Sequence, residues 1–250
     1  MTASVLLERP VAGVAIVTLN RPSALNAFTQ DMLQELARVA SEVNEDTSIG
    51  AVVLTGAGRA FCAGRDRNEL QAVGAREARR LVPEPGSSES SSIRAMEPVV
   101  IAAARGAAVG GGLGLLMQAD IRLASDDAYF VDGHVANAMI PSSEAWYLAR
   151  RVGMARALEI CVLGRRVSAH EALKWGMIDR VTTGDRLVPD ALELAEEFAG
   201  APPELARHTK AVLRRSESHP YEPSMELVGL LRALRRRSAD HAKVLPEGEE

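Results

Sequence analysis

The chain has 250 residues and only two cysteines, Cys62 and Cys161. They stand far apart in sequence and build neither a disulfide framework nor a metal motif, so they read as reduced thiols, and no metal is expected. A surplus of one charge is missing too. Lys and Arg number 29 against 33 Asp and Glu, a formal net charge of −4, which excludes a general electrostatic pull toward nucleic acid or anionic lipid. Any polyanion must be met locally. The opening MTASVLLERP lacks the basic region and long apolar run of a signal peptide, and no later stretch is apolar enough to span a membrane. The expectation is a cytoplasmic protein without a nucleic-acid or membrane partner. Its length suits one α/β domain with a terminal appendage.

The chain is organised around Val99–Ser125. A β-branched, apolar run over Val99–Ala103 is broken by Gly106 and then by Gly110, Gly111 and Gly112, which lead into the helix-like Leu113–Met117. The reading is buried strand, tight turn, buried helix. Three glycines in a row remove every Cβ where the helix starts, so a ligand can lie on backbone N–H groups at the positive end of a helix dipole. An oxygen gaining negative charge suits such a place. Close packing of the helix on the sheet explains the same triplet equally well.

Ser4–Leu7 and Val14–Leu19 are two strands joined by a turn at Pro10 and Gly13. A helix capped by Thr29 carries Met32, Leu33, Leu36, Val39, Ala40 and Val43 at helical spacing. Gly50–Thr55 is a short strand followed by the glycine turn at Gly64 and a second helix, so a strand–glycine–helix unit occurs twice. Parallel strands would bring both turns to one end of a sheet. Gly74–Ile93, with its serine-rich tract, has the composition of a mobile loop, either a surface loop or one that closes over a ligand. Ala128–Val131 reads as a strand and Asp132–Val135 as its exit; from Pro141 the chain is largely helical. The arginines of Glu222–Ala242 mark a solvated face, or in part a phosphate contact.

Four blocks, LNRPSALNAF (19–28), AFCAGRDRNEL (60–70), IAAARGAAVGGGLGLLMQADIRLAS (101–125) and EALKWGMIDRV (171–181), resemble in order and spacing those of the crotonase, or enoyl-CoA hydratase/isomerase, superfamily. The resemblance implies an α/β fold with a ββα-repeat spiral core over residues 1–190. It also implies a helical C-terminal trimerisation region over 191–250, assembly as a homotrimer or dimer of trimers, and an acyl-CoA thioester as substrate. Coenzyme A would enter as part of that substrate, with no cofactor bound permanently. Two peptide N–H groups, carried over to Arg65 and Gly111, would hold the thioester oxygen as it turns anionic, each donor contributing about 3 kcal/mol in a dry site. Gly64 and Gly110 shape these turns. CoA would run along Ser23, Ala24 and Leu25 and along Ala63–Arg67, with Asp66 matching the family's usual acid and Pro141 the later proline of the pattern. Asn68 falls where a lysine is common, leaving phosphate to Arg67 or to C-terminal basic residues.

The departures bear on the chemistry. Hydratases of the superfamily carry one glutamate two residues after the glycine triplet and another seven residues before the later proline. These positions are Gly114 and His134 here, with Gly133 in place of the preceding proline. Adding water across a conjugated double bond needs groups that move protons, and glycine moves none, so ordinary hydration is expected to be weak or absent. His134, neutral to half-protonated near neutrality, can take a proton and return it without a second base. A histidine here followed by an acid past the proline resembles the β-diketone hydrolases of the superfamily. Glu144 stands one position from that pattern: turned inward it orients the imidazole, and otherwise it caps its own helix. Asp132 shares the strand face of His134 and supplies the acid or sits in solvent; Tyr129 and Tyr147 read as packing residues.

Three readings follow. One is an enzyme of acyl-CoA or β-dicarbonyl substrates that uses His134 in hydrolysis, C–C cleavage, decarboxylation or isomerisation through an enolate. The second is a conventional hydratase or isomerase with an acid from elsewhere, and the third is a silent acyl-CoA binder.

Overall fold

The computed structural model describes residues 3–72, 91–217 and 219–236. The strands are β1 (Val5–Val11), β2 (Val14–Leu19), β3 (Ala51–Gly56), β4 (Val99–Ala104), β5 (Ala107–Val109), β6 (Ile121–Ser125), β7 (Tyr129–Val131), β8 (Val167–Ser168) and β9 (Arg180–Thr182). The helices are α1 (Gln30–Glu45), α2 (Arg67–Ala72), α3 (Gly111–Gln118), α4 (Ser143–Arg151), α5 (Met154–Cys161), α6 (Ala169–Lys174), α7 (Leu187–Ala199), α8 (Pro203–Ser216) and α9 (Tyr221–Arg236).

A six-stranded sheet runs β1-β2-β3-β4-β6-β9, and a three-stranded sheet runs β5-β7-β8. All pairs from β2 to β9 in the large sheet are parallel. β1 is antiparallel at the edge, where the missing N–H of Pro10 costs the ladder little. Side-chain alternation explains why the central strands are apolar throughout. Val52, Leu54, Val100 and Ala102 face a core shared with Leu33, Leu36 and Val43 of α1. Ala51, Val53, Ile101 and Ala103 face a second core completed by Leu187, Ala191, Leu194 and Ala195 of α7. Each large side chain buried this way contributes about 1.5–3 kcal/mol relative to exposure. Thr29 caps α1 as expected, its side chain accepting from the Met32 N–H at 3.2 Å.

Three consecutive passes of the chain repeat one path: a strand in the large sheet, a step along the small sheet, a turn, a helix. β3 leads through a parallel bridge at Cys62 to Ala108, then Gly64 and α2. β4 leads through β5 and Gly110 to α3, and β6 through β7 and Gly133 toward α4. This is the ββα repeat implied by the sequence blocks, with one correction. The central stretch is not strand, tight turn, helix: Gly106 (φ 58°) breaks β4 so that β5 can join the other sheet. The two glycine turns follow parallel neighbouring segments of the small sheet and so lie at one end of that sheet, as the parallel-strand reading expected. A third turn, ending in His134, joins the two read from sequence.

The domain boundary expected at 190/191 falls inside α7, which packs on the large sheet and belongs to the core. α8 and α9 form the C-terminal helical region. Of the serine-rich tract, residues 73–90 lie outside the described residues, while Ser92 and Ile93 at its end are buried. No helix among the described residues is long and apolar enough to cross a membrane.

Candidate active site

The site grows from the three turns. Cys62 N–H donates to Ala107 O and Val109 N–H to Cys62 O, both at 3.0 Å, so the chain before Gly64 lies alongside β5. Gly64 has φ 88°, and a Cβ on it would stand 2.7 Å from Val109 O and 3.5 Å from the Gly111 nitrogen. The turn at Gly64 therefore closes directly onto the start of α3. Phe28 N–H donates to Gly64 O at 2.8 Å and Asp66 N–H to Phe28 O at 2.9 Å. In this parallel bridge the Arg65 N–H points away from Phe28. Among the described residues neither the Arg65 nor the Gly111 N–H is taken by a protein acceptor, and Gly111 opens a helix whose first N–H groups face its positive end.

The glycine triplet serves both of the purposes weighed from sequence. Gly110 adopts φ 52° in the turn. A Cβ on Gly111 would meet the Phe28 ring at 2.5 Å, and one on Gly112 would meet Cys62 O at 2.2 Å. The last two are glycine for close approach, which is what packs the α3 N-terminus against Gly64. Phe28 was not singled out in the sequence; its ring is part of the buried core and fills the space that the missing Cβ of Gly111 leaves.

His134 lies at the third turn. A Cβ on Gly110 would stand 3.8 Å from its Cε1, so the imidazole sits beside the glycine turn. Nδ1 approaches Asp132 Oδ1 to 2.5 Å and Glu144 Oε1 to 3.0 Å, while Nε2 meets no partner among the described residues. Asp132 Oδ1 also accepts the His134 backbone N–H at 3.0 Å. The pairing arises from a turn closed by the aspartate, beyond the end of β7, and not from strand alternation. Asp132 is 1% exposed, so the solvent reading fails. Glu144, 0% exposed, resolves the choice between cap and partner by being both. Its Oε1 accepts the Ser142 N–H at 2.8 Å at the head of α4, and its Oε2 accepts the Ser142 hydroxyl at 3.0 Å.

This surrounding corrects the expected protonation state. Hydrogen bonds to Asp132 and Glu144 outweigh burial and push the His134 pKa up to about 10, so the resting ring is an imidazolium. Burial would raise the Asp132 carboxyl, but its bonds from His134 hold it below the ordinary value. Asp132 Oδ2 is buried without a hydrogen-bond partner. The Cys161 thiol, at the end of α5, is pushed up to about 12 by burial and by the Asp132 and Glu144 charges. Ligand atoms of Asp132, His134 and Glu144 all lie within 4.8 Å of one another. The 2.5 Å approach is nevertheless that of a shared proton: two ligands each about 2.0–2.2 Å from one ion would stand wider apart.

The two stretches assigned to CoA run together, because Ala63 N–H donates to Leu25 O at 3.0 Å. Ser23 and Ala24 lie in a short 3-10 turn, Leu25 and Asn26 follow in left-handed backbone (φ 51° and 56°), and Arg67 is exposed at the start of α2. The buried Asn26 offsets the strain by donating to Ala57 O and Ala60 O at 2.9 and 2.8 Å and accepting Arg21 N–H at 2.9 Å. Sequence reasoning passed over it as one letter of a motif. Asp66 is engaged within the protein: it caps α2 through Asn68 N–H at 2.9 Å and pairs with Arg21 at 2.9 Å. Burial opposes its ionisation, and these bonds from Arg21 and α2 still hold its carboxyl low. Pro141 is half-buried just before Ser142, which occupies the N-cap position of α4 without a side-chain cap bond. A cavity of about 420 Å³ lies elsewhere, beside α8. Its buried cations are committed to protein partners, Arg207 to Asn44 O and Asp46 O and Lys210 to Met96 O and Asp120.

The sequence profile of the enoyl-CoA hydratase/isomerase family matches residues 9–227. The chain is 33% identical over 240 residues to the 1,2-epoxyphenylacetyl-CoA isomerase of Escherichia coli, covering 94% of this chain and 92% of that one. It is 35% identical over 214 residues to the short-chain-enoyl-CoA hydratase of Clostridium acetobutylicum, covering 85% and 81%. The crystal structure of an enoyl-CoA hydratase from Bacillus anthracis superposes with a TM-score of 0.86 at 28% identity, covering 96% of this chain and 93% of that one.

Proposed function

The chain belongs to the enoyl-CoA hydratase/isomerase family, and from that premise we propose that it acts on an acyl-CoA thioester, or a related carbonyl compound, through an enolate that His134 protonates. The related isomerase and hydratase are named for CoA thioesters, which supports coenzyme A as part of the substrate. The thioester oxygen would accept the N–H groups of Arg65 and Gly111 as negative charge builds on it. Ser23, Ala24, Leu25 and Ala63 to Arg67 would line the CoA path.

One observation carries the choice of reaction: His134 Nδ1 is held by two buried carboxylates while Nε2 has no partner among the described residues. At neutral pH such a ring is an acid. It suits a step in which a bond to the α-carbon breaks heterolytically and the electron pair becomes the enolate. Loss of CO2 from a β-carboxylate is such a step: the C–C bond breaks, its electron pair becomes the enolate, CO2 leaves, and no water need be activated. Nε2–H then delivers its proton to the α-carbon and is replenished from solvent. Isomerisation through an enolate begins with removal of a proton from carbon, which a resting imidazolium cannot perform. Hydration is disfavoured, because Gly114 offers no base and a resting imidazolium cannot activate water.

A second reading has one observation in its favour: Glu144 Oε2 would stand 3.0 Å from a Cβ at residue 114, close to where a hydratase has its glutamate. The test is to offer malonyl-, methylmalonyl-, acetoacetyl- and crotonyl-CoA in D2O and follow products by mass spectrometry. The expected result is CO2 loss from the malonyl thioesters with one deuterium at the α-carbon, reduced about 10²–10⁴-fold in His134→Ala. Crotonyl-CoA hydration that survives His134→Ala but not Glu144→Gln establishes the second reading instead. Binding of every thioester with no turnover leaves a binding protein.

A further inference from the structure

We propose that Gly114 and Glu144 form a matched pair, in which the absent side chain at 114 creates the seat from which Glu144 holds the His134 ring. Gly114 is buried within α3, and no left-handed backbone requires glycine there. Glycine inside a helix is unfavourable relative to alanine, so its presence calls for another cause. A Cβ at this position would meet Glu144 Oε2 at 3.0 Å and Ser143 Oγ at 3.2 Å, both inside ordinary van der Waals contact. The carboxylate has little room to retreat. It has no exposed surface, and its Oε1 is committed to Ser142 N–H and His134 Nδ1 while its Oε2 is committed to the Ser142 hydroxyl.

The charged groups facing His134 come from two elements, Asp132 in its own turn and Glu144 on α4, and behind them the Cys161 thiol on α5 senses both carboxylates. Of these only Glu144 depends on space within α3. Residue 114 therefore acts as a positioning residue: it touches no reacting atom, and it sets whether a carboxylate is aimed at the imidazole from α4. Side chains at 114 and 144 compete for one volume, so a carboxylate on α3 excludes the present arrangement. The pairing rests on the reading of His134 as the proton carrier only for its consequences in turnover. Its own test needs no substrate.

The experiment titrates His134 by NMR in protein labelled with 13C-histidine, the resonance being assigned through His134→Gln. Glu144→Gln should lower the midpoint from about 10 by about 1–3 pH units, the effect of removing one nearby opposite charge, and Gly114→Ala, which displaces the carboxylate without removing its charge, should lower it in the same direction by less. Gly229→Ala, in α9 with nothing within 4 Å of the added methyl, should leave it unchanged. A midpoint that moves in Glu144→Gln but stays put in Gly114→Ala overturns the pairing. Thermal melting gives an independent check should Gly114→Ala fold poorly. The methyl should destabilise the wild-type background and be neutral or stabilising in Glu144→Ala, where its competitor is gone. Equal destabilisation in both backgrounds also overturns the proposal.

Discussion

His134 Nδ1 stands 2.5 Å from Asp132 Oδ1, the oxygen that also accepts the backbone N–H of His134 at 3.0 Å. One carboxylate oxygen thus fixes the ring and its proton together. The folded imidazole titrates near 10 against an ordinary 6.5, so its contribution to stability is complete below pH 6.5. Between 6.5 and 10 the folded state retains a proton that the unfolded chain has released, and stability declines; above 10 the contribution is gone. Melting temperatures from pH 6 to 10.5 should fall more steeply for wild type than for His134→Gln. Parallel curves would show that the ring is not held as an imidazolium.

Asp132→Asn preserves the shape of the turn and removes the charge. An opposite charge at this range shifts a titration by about 1–3 pH units, so the alkaline limb of the kcat profile should move down by that amount. Turnover above the new limb should fall by about 10²-fold or more, as for loss of an acid catalyst. A profile that only loses height, with its limb unmoved, would mean that Asp132 orients the ring without setting its charge.

Much of this architecture was legible because apolar periodicity reports burial directly. The α1 positions Met32, Leu33, Leu36, Val39, Ala40 and Val43 are all buried, with Thr29 as the cap. β2 and β3 occupy the apolar runs that announced them. Three-residue strands such as β5 leave no such period, and β5 owes its existence to Gly106 turning the chain out of the large sheet. His134 was readable as a position in a family pattern. Its protonation state was not, because it is set by Asp132 and Glu144 meeting across a turn and a helix start. Nor was Gly114, which read only as a missing glutamate when its meaning lies in the neighbour that fills its space.

Gly64→Ala tests the turn that carries the Arg65 amide. At φ 88°, with Val109 O 2.7 Å from the added methyl, alanine meets backbone strain of about 1–3 kcal/mol and a carbonyl that cannot rotate away. The strain is relieved by shifting Arg65 off Gly111. If these amides form the oxyanion site, kcat should fall by about 10²–10³-fold, the effect of losing one donor, and His134 should titrate unchanged. Full turnover in a folded Gly64→Ala protein would remove Arg65 from the chemistry.

Arg207→Met separates stability from the site. The Arg207 guanidinium donates to Asn44 O at 2.8 Å, Asp46 O at 2.7 Å and Ile49 O at 3.1 Å, which ties α8 to the carbonyls at the end of α1. Hydrogen bonds from a charged donor contribute about 1.5–3 kcal/mol each, and they share one group, so their loss is less than additive. Methionine keeps the apolar stem and strands those carbonyls against α8; a loss of about 1–3 kcal/mol, as for leaving buried acceptors unsatisfied, is expected. The three turns that carry Gly64, Gly111 and His134 do not touch Arg207, so the His134 titration and the KM for thioester should hold in the protein that remains folded. Chemical denaturation with NMR titration on the same samples measures both. A His134 midpoint that moves with Arg207→Met would mean that the C-terminal helices reach into the site through α1.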